Sequence, residues 1–393
     1  MDHQALKNTI KTYARKKLPL FISGAPGVGK SVVVKDTAKE LAAAANKKFL
    51  EWADLSLEEK IALVSGADEA IKRGLPEKRA KELEANGFYL FAVLNMVEND
   101  LTDIKGVLAL TETGEATHYA DWRPPMLMVA MAKHNRHGMI FLDELTQTLP
   151  ENLSPAFKLV LDHVAGDIKL SKNVSVMGAG NRVSDQSASF EMPKALRNRF
   201  GHVELEHPSN VKWAEWAMNA SLDLRVVSFI RAYPDAFEHD ESKDRSDNLT
   251  AYPSARSYHR MADLIAGEEE ISQVGLLAES MVGKEKGITF KQYVKNSQEI
   301  DYDAIFKNPK SFKNFDPAIR WGAVSGLISM FKQNKKIAAD LVRVCANIGD
   351  DVGLLIAQGM ARTDSKVFAS ALSSQVGTDF VNKCLEYTSV SIK

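Results

Sequence analysis

A glycine-rich run near the start of the chain carries the clearest chemical signal. It matches the pattern G-x-x-x-x-G-K-[ST] through Gly24, Ala25, Pro26, Gly27, Val28, Gly29, Lys30 and Ser31. Glycines let a backbone wrap closely around a polyphosphate, and N–H groups at a helix N-terminus attract the anion. In this pattern the lysine meets the β- and γ-phosphates, and the hydroxyl is a ligand for Mg²⁺. The run therefore predicts ATP and Mg²⁺ as cofactors; the alternative is a chance glycine turn.

Two apolar, strand-like runs end in polar side chains that suit the same chemistry. Residues 139–142 are followed by Asp143 and Glu144. We expect Asp143 to reach the metal through a water molecule, and Glu144 to act as general base or to position a water aimed at the γ-phosphate. Residues 174–179 lead to Asn181, which can orient the same water or contact the γ-phosphate. The alternatives are a capped strand end at the surface for the two acids and a simple turn for the asparagine.

Three arginines are candidates for further phosphate contacts. Arg197 and Arg199 lie in a short helical turn before an apolar residue. An arginine held toward a neighbouring subunit's γ-phosphate accelerates hydrolysis by about 10³–10⁵ in related enzymes. Such a residue is called an arginine finger. Arg199 is the favoured candidate and Arg197 the second. The alternative is that both belong to a solvated basic turn. Arg256 begins a later helix and could reach the phosphates from a second domain, unless it only caps that helix.

These side chains require a parallel sheet that brings several strand ends together. Residues 18–23 form an apolar strand before the glycine-rich run, and residues 31–45 have helical spacing after it. Further strands are predicted at 88–93, 139–142 and 174–179, and continuous apolar runs suit strands that are buried on both faces. A strand, a glycine loop and a helix are the start of a nucleotide-binding α/β unit.

Other segments surround this predicted sheet. Residues 46–86, rich in Glu, Lys and Ala, look like a mostly helical insertion, and residues 107–120 form β-type runs on either side of a glycine turn, as in a hairpin. Residues 238–248 are charged and predict a surface loop. Later helices are predicted to begin at Ser209 and at Asp316, which Pro317 follows.

The composition favours an ordinary soluble protein. The formal net charge is −1, from 50 Lys and Arg against 51 Asp and Glu, which argues against nucleic acid or an anionic membrane as the partner of the whole chain. Cys345 and Cys384 form no CxxC pair, so disulfide scaffolds and zinc ribbons are not expected. The start lacks the apolar core of a signal peptide, and no run approaches the ~20 apolar residues of a membrane helix. We expect a cytoplasmic protein without membrane insertion.

Two other groups of residues have simple explanations. His134 and His137 are three residues apart, but no carboxylate or cysteine partner is evident, so we interpret them as polar residues ending a helix and not as metal ligands. Trp213 and Trp216 are expected to anchor a small helical domain rather than to stack on nucleic-acid bases.

The order of these motifs resembles the MoxR branch of AAA+ ATPases, in the helix-2-insert clade. The resemblance covers roughly residues 18–295. It depends on the sequence segments DLTDIKG, GMIFLDELTQ, GAGNRVSD, MPKALRNRF and YPSARSY. It implies an α/β fold with a P-loop NTPase αβα core and a parallel sheet, then an α-helical lid domain and a helical C-terminal extension. The implied roles are Walker A for Lys30 and Ser31, Walker B for Asp143 and Glu144, sensor 1 for Asn181, arginine finger for Arg199 and sensor 2 for Arg256.

The resemblance also suggests domain boundaries. We expect an AAA+ large domain at 1–207, a small helical lid domain at 208–298 and a helical C-terminal extension at 299–393. The large domain would carry a helical insertion at about 46–87 and a hairpin insertion at about 107–120, where the family has a hairpin within its second helix. The tail beyond about residue 300 has no counterpart in the family.

Three functions are compatible with these motifs. The leading one is a homo-oligomeric ring, expected to be hexameric, that uses ATP hydrolysis to remodel or mature a protein partner, since a finger arginine needs a neighbouring subunit. Members of the resembled family often act with a protein carrying a von Willebrand factor A domain. The first alternative is a nucleic-acid-dependent motor or clamp-loader-like ATPase, which the balanced charge disfavours. The second is a nucleotide-gated scaffold with negligible turnover, against which the presence of Glu144 speaks.

Overall fold

The computed structural model describes residues 1–113, 117–149, 153–182, 190–237, 251–348 and 351–390. The chain divides into two compact units, Met1–His207 and Pro208–Lys393. The predicted surface loop at 238–248 and the turn of the predicted hairpin lie outside the described residues. Within the described ranges, no helix has both the length and the apolar character that crossing a bilayer requires.

A parallel sheet forms the centre of the first unit. The strands of this unit are β1 (Leu20–Ser23), β2 (Lys48–Glu51), β3 (Phe88–Asn95), β4 (Val107–Thr113), β5 (Thr117–Arg123), β6 (His137–Asp143), β7 (Val164–Ala165), β8 (Ile168–Lys169), β9 (Asn173–Gly180) and β10 (Gly201–Glu204). Six of them form the central sheet in the order β10-β1-β9-β6-β3-β2, and every neighbouring pair is parallel. The strand that precedes the glycine-rich run, β1, is therefore an inner strand.

Helices cover both faces of this sheet. They are α1 (His3–Lys16), α2 (Lys30–Ala44), α3 (Leu57–Ser65), α4 (Ala67–Lys72), α5 (Glu77–Glu84), α6 (Leu101–Lys105), α7 (Met126–Ala132), α8 (Ser154–Asp162) and α9 (Lys194–Arg197), with a short 3₁₀ helix at Trp52–Asp54. Side chains alternate along each strand, so Leu20 and Ile22 pack with α1 and α2 while Phe21 packs with the helices of the opposite face. This three-layer arrangement confirms the predicted αβα core with a parallel sheet.

One strand lies inside the segment that was predicted to be a helical insertion. Lys48–Glu51 pairs in parallel with the first half of β3, with Leu50 opposite Leu90, and extends the sheet at its edge. Among its four residues only Leu50 is buried, because an edge strand has one neighbour and is partly open to solvent. The sequence therefore shows neither a continuous apolar run nor a clear alternation there. Helices α3 to α5 fill the rest of the segment.

Two small antiparallel pairs stand apart from the central sheet. At the position of the predicted hairpin, β4 pairs with β5, from Val107 opposite Arg123 to Thr113 opposite Thr117, so the pair extends three residues beyond the predicted end. The second pair is β7 with β8. His137, which was interpreted as ending a helix, instead begins strand β6, because the helix before it already ends at Ala132.

The second unit is helical throughout its described part. Its helices are α10 (Asn210–Asn219), α11 (Leu224–Ala232), α12 (Pro234–Phe237), α13 (Ala255–Leu264), α14 (Ile271–Val282), α15 (Lys284–Gln298), α16 (Tyr302–Lys307), α17 (Pro317–Gln333), α18 (Ala338–Ile348), α19 (Asp351–Thr363), α20 (Ser365–Leu372) and α21 (Gln375–Val390), with 3₁₀ helices at Pro309–Asn314 and Lys335–Ile337. Ser209 and Asp316 cap α10 and α17 by accepting backbone N–H bonds, as predicted for these helix starts.

The core of the second unit draws on both of the segments that were expected as lid and extension. Trp213 is buried, with its ring 5.5 Å from that of Phe237, and belongs to the same hydrophobic cluster as Phe290 and Phe331. Helices α11 and α17, one from each segment, pack against each other. On α17, Leu327 and Phe331 are completely buried, whereas Ile319 near its start is 39% exposed.

Candidate active site

The glycine-rich loop connects the inner strand β1 to helix α2. The helix begins at Lys30, and Gly29 before it has φ +97°, while Gly27 has φ +76°. In these left-handed conformations a Cβ would clash with the backbone. Glycine has no Cβ and adopts them without that cost in free energy. The loop thus delivers the first turn of α2 with backbone N–H groups that have no acceptor within the helix, which is the arrangement that binds an anion.

Lys30 is held beneath this loop. Its side chain is 7% exposed, and Nζ donates hydrogen bonds to Gly24 O at 2.7 Å, to Ala25 O at 3.1 Å and to Asn181 Oδ1 at 2.8 Å. A buried ammonium group requires such acceptors, since leaving it unpaired would cost several kcal/mol, on the order of 3–5. The lysine therefore connects the loop after β1 to the residue that follows β9.

Ser31 connects the same loop to the end of β6. Its Oγ donates to Asp143 Oδ2 at 2.6 Å, and the other oxygen of that carboxylate, Oδ1, accepts from Glu144 N at 3.0 Å. Both side chains are half-buried, so solvent still reaches the pair. A hydroxyl and a carboxylate at this distance are two oxygen ligands of the kind that Mg²⁺ binds.

Asn181 lies between the lysine and the second acid. Its Oδ1 accepts from Lys30, while Nδ2 donates to Glu144 Oε2 at the long distance of 3.4 Å, so each end of the amide faces a group of matching polarity. Glu144 has φ +55°, a left-handed conformation that is uncommon outside glycine. Such backbone is concentrated at functional sites, where surrounding structure holds it in place.

The sheet explains why these residues meet. β1, β9 and β6 are adjacent and parallel, and β9 pairs with both of the others, so their carboxyl ends share one edge. The structure brings together Lys30, Ser31, Asp143, Glu144 and Asn181, all of which were predicted as site residues. Ligands of open α/β sheets bind at this edge.

Two residues at this edge were missed from the sequence. Asn95 ends β3 in register with Asp143, and the next backbone N–H, of Met96, donates to Asp143 O at 2.9 Å. A polar residue after a buried apolar run is the signal that could have identified Asn95. Thr146 Oγ1 donates to Asn181 O at 3.0 Å, and a Cβ on Gly180 would approach Thr146 Oγ1 to 2.3 Å. No local pattern predicts this contact, because it joins the turns after two different strands.

Replacing Thr146 with valine removes this hydroxyl and keeps the side chain's shape. Because Thr146 is 8% exposed, we expect Thr146→Val to lower the free energy of unfolding by about 1–3 kcal/mol. Thr146→Ser keeps the donor and loses one methyl group, worth about 0.8 kcal/mol. Chemical denaturation of the two variants compares them directly. Equal losses, or a larger loss for serine, would show that the bond to Asn181 O contributes little.

The predicted finger arginines contact other side chains. The Arg199 guanidinium is 5.1 Å from the centre of the Phe157 ring, and Arg197 Nη1 is 3.4 Å from Glu191 Oε1 with its side chain 45% exposed. Within the described residues, neither arginine forms a hydrogen bond with the five residues at the sheet edge. Arg256 is an exposed residue in the first turn of α13, in the second unit, and Ser254 caps that helix by accepting from Ser257 N at 3.1 Å.

Comparison with known proteins gives distant likenesses of fold. No model of a protein family and no curated protein matches this sequence. PCH-2 of C. elegans is 15% identical with a TM-score of 0.28, over 74% of this chain and 66% of that one. A mutant of RuvB from Thermotoga maritima is 12% identical with a TM-score of 0.29, over 78% and 73%. NtrX from Brucella abortus is 12% identical with a TM-score of 0.32, over 94% and 67%.

These three proteins are AAA+ ATPases, but likenesses this weak carry no argument about activity. The fold assignment depends instead on the order of the strands in the sheet and on the glycine-rich loop that follows the inner strand β1. The same sheet edge collects the lysine, hydroxyl, acids and amide that were expected there. The chain has a P-loop NTPase αβα core with a parallel sheet, followed by a helical unit.

Proposed function

We propose that this chain binds ATP with Mg²⁺ at the carboxyl edge of its central sheet and hydrolyses it. The observation that carries the proposal is the pair of contacts Ser31–Asp143 and Lys30–Asn181, at 2.6 and 2.8 Å. They join a lysine, a hydroxyl, a carboxylate and an amide from three neighbouring strand ends, and Glu144 follows Asp143 directly. A structural role alone does not require this combination of groups.

The loop and its lysine suit a triphosphate. Two of the acceptors of Lys30 Nζ are neutral carbonyl oxygens of the loop, Gly24 O and Ala25 O. Phosphate oxygens carry negative charge, so they attract the ammonium group more strongly than neutral carbonyl oxygens do. We therefore propose that Lys30 turns from these carbonyls to the β- and γ-phosphates, which the N–H groups of the loop also bind.

Ser31 and Asp143 fit a magnesium site. Mg²⁺ prefers oxygen ligands and is typically bound by one or two carboxylates together with substrate phosphates. In this proposal Ser31 Oγ is a direct ligand and Asp143 acts through a water molecule. When bound, the metal would neutralise charge that develops on the phosphate oxygens.

Glu144 and Asn181 suit the hydrolytic water. A carboxylate at the strand end, next to the metal-binding acid, can accept a proton from water that attacks the γ-phosphate. Asn181 contacts both Lys30 and Glu144, so its amide can hold that water relative to the phosphate. The bond formed is from the water oxygen to the γ-phosphorus, the bond broken is to the β–γ bridging oxygen, and ADP and phosphate leave.

Phosphate release by the full chain tests this proposal. We expect hydrolysis that requires Mg²⁺ and stops on chelation, together with saturable binding of ATP. Binding without turnover would support a nucleotide-gated scaffold instead. No binding at millimolar ATP would refute the site altogether.

We further propose that the active species is a homo-oligomeric ring, with six subunits as the expected number. Arg199 is the proposed finger and Arg197 the second candidate. Since neither forms a hydrogen bond with the five site residues within the described part of its own chain, either would act on a neighbour's γ-phosphate. Arg256 is proposed as the sensor 2 arginine.

Mixing two inactive variants tests whether the finger acts on a neighbour. Arg199→Ala subunits bind ATP but offer no finger, and Lys30→Ala subunits offer a finger but bind no ATP. We expect each alone to lose about 10³-fold or more in turnover, and mixtures to regain part of it. Phosphate release at several mixing ratios measures this. Arg197→Ala in place of Arg199→Ala is the matched comparison, and no recovery at any ratio would contradict action in trans.

The use of this ATPase is proposed to be remodelling or maturation of a protein partner in the cytoplasm, as in the MoxR branch. The hairpin β4–β5 offers one contact surface, because Leu108 and Leu110 are 59% and 73% exposed. A protein with a von Willebrand factor A domain is the partner expected from the resemblance. Capture by the Glu144→Gln variant with ATP tests this, whereas stimulation of turnover by DNA or RNA would favour a nucleic-acid motor.

A further inference from the structure

A histidine far from the phosphate-loop motif contacts that loop directly. His3 Nε2 lies 2.9 Å from Val28 O, across 25 residues of sequence. A carbonyl oxygen only accepts hydrogen bonds, so Nε2 must carry the proton and donate. The imidazole also lies close to the next residue, since a Cβ on Gly29 would be 3.3 Å from Nε2.

Helix α1 holds this histidine in place. Leu6 and Ile10 are completely buried in the core that α1 shares with α2. Lys7 and Lys11 pair with Glu40 of α2 at 2.9 and 2.5 Å, and these hydrogen bonds lower the pKa of the Glu40 carboxyl below its ordinary value. The glycine-rich loop leads directly into α2. Because α1 packs against α2, the position of His3 relative to the loop is fixed.

The bond to Val28 O constrains one peptide of the loop. In a trans peptide the C=O and N–H groups point in opposite directions, so holding the Val28 carbonyl toward His3 directs the Gly29 N–H to the other side. Gly29 is the residue whose φ of +97° makes alternative orientations of this peptide accessible. A hydrogen bond that selects one orientation before the ligand arrives removes that ordering cost from binding.

We infer that His3 is a positioning residue of the nucleotide site, which keeps the Val28–Gly29 peptide oriented with its N–H toward the phosphates. The inference rests on the proposed function, because it assumes a phosphate ligand in the loop. His3 touches the loop and not the reacting atoms. Its loss therefore weakens nucleotide binding and leaves the rate of the bound complex unchanged.

Three variants test this inference. His3→Ala removes the donor, and His3→Gln places an amide N–H near the position of Nε2. Gln4→Ala is the matched control on the same helical turn, because Gln4 is exposed and its side chain donates to Asn8 Oδ1 within α1 itself. The measurements are Kd for Mg²⁺-ADP, and KM and kcat for ATP, with thermal unfolding of each variant without nucleotide as a check on folding.

We expect His3→Ala to raise Kd and KM about tenfold, the size expected for one lost hydrogen bond, with kcat within about twofold of the parent. His3→Gln should recover most of the affinity, and Gln4→Ala should match the parent chain. Equal affinities for His3→Ala and Gln4→Ala would overturn the inference, as would weak binding by His3→Gln in a chain that unfolds at the parental temperature. If the parent chain itself bound no nucleotide, the proposed function would fail first and this inference with it.

Discussion

Replacing Lys30 with alanine is expected to abolish ATP binding at micromolar concentrations. The variant loses the buried ammonium group that would meet the β- and γ-phosphates, and it also loses the bonds that connect Gly24 O to Asn181 Oδ1. Losing one partner of a desolvated charge pair costs about 3–5 kcal/mol, or roughly 10²–10⁴-fold in affinity. Titration with a fluorescent ATP analogue or calorimetry measures the loss.

Lys39→Ala is the control for Lys30→Ala. Lys39 is an exposed lysine on the same helix, with Nζ 5.9 Å from the centre of the Phe49 ring, so its removal changes the net charge equally without touching the loop. We expect it to bind ATP as the parent does. If Lys30→Ala kept tight affinity while remaining folded, the lysine would have no part in a phosphate site, and the proposed function would lose its main support.

Glu144→Gln is expected to bind ATP normally and to turn it over about 10²–10⁴-fold more slowly, the usual contribution of a general base. Glutamine keeps the size of the side chain and an oxygen that can accept from Asn181 Nδ2. It must adopt the same left-handed backbone conformation as Glu144. Only the proton acceptor is lost. Phosphate release under single-turnover conditions, with Kd measured alongside, separates the chemical step from binding.

A second acid on the same sheet edge, Glu98, provides the control for Glu144→Gln. Glu98 is exposed in the loop that follows β3, so Glu98→Gln removes one carboxylate without changing the candidate site. Parental turnover is expected. Since trapped ATP would hold subunits together, sedimentation of Glu144→Gln with ATP should also show larger assemblies. Unreduced turnover by Glu144→Gln would assign the base to another group.

The two variants together test different parts of one network. Lys30 is predicted to govern affinity and Glu144 the chemical step, although Asn181 contacts both side chains. Effects of neighbours in one hydrogen-bonded network do not add, so the double variant is expected to resemble Lys30→Ala alone. The contrast between loss of binding and loss of turnover is therefore the informative result.

Features of this protein that depend on local order along the chain could be predicted from its sequence. The glycine-rich run, the apolar strand before it and the helix after it are contiguous, so their pattern predicts the loop and a helix from residue 31, one residue after α2 begins. Polar residues directly after two other apolar runs, at Asp143 and Asn181, predicted which strand ends would meet. The helix starts at Ser209 and Asp316 followed from capping residues, whose bonds reach only two or three positions along the chain.

Contacts between distant segments could not be predicted in this way, because they depend on the folded chain. The edge strand Lys48–Glu51 exists because Phe88–Phe91 lies beside it, and its own four residues carry no distinct strand pattern. The hydrogen bonds from His3 to Val28 O and from Thr146 to Asn181 O likewise join segments whose separation the chain does not specify. Local patterns reflect which faces of an element are apolar. Which of those elements become neighbours depends on how the whole core packs, because burial stabilises a contact wherever along the chain its partners lie.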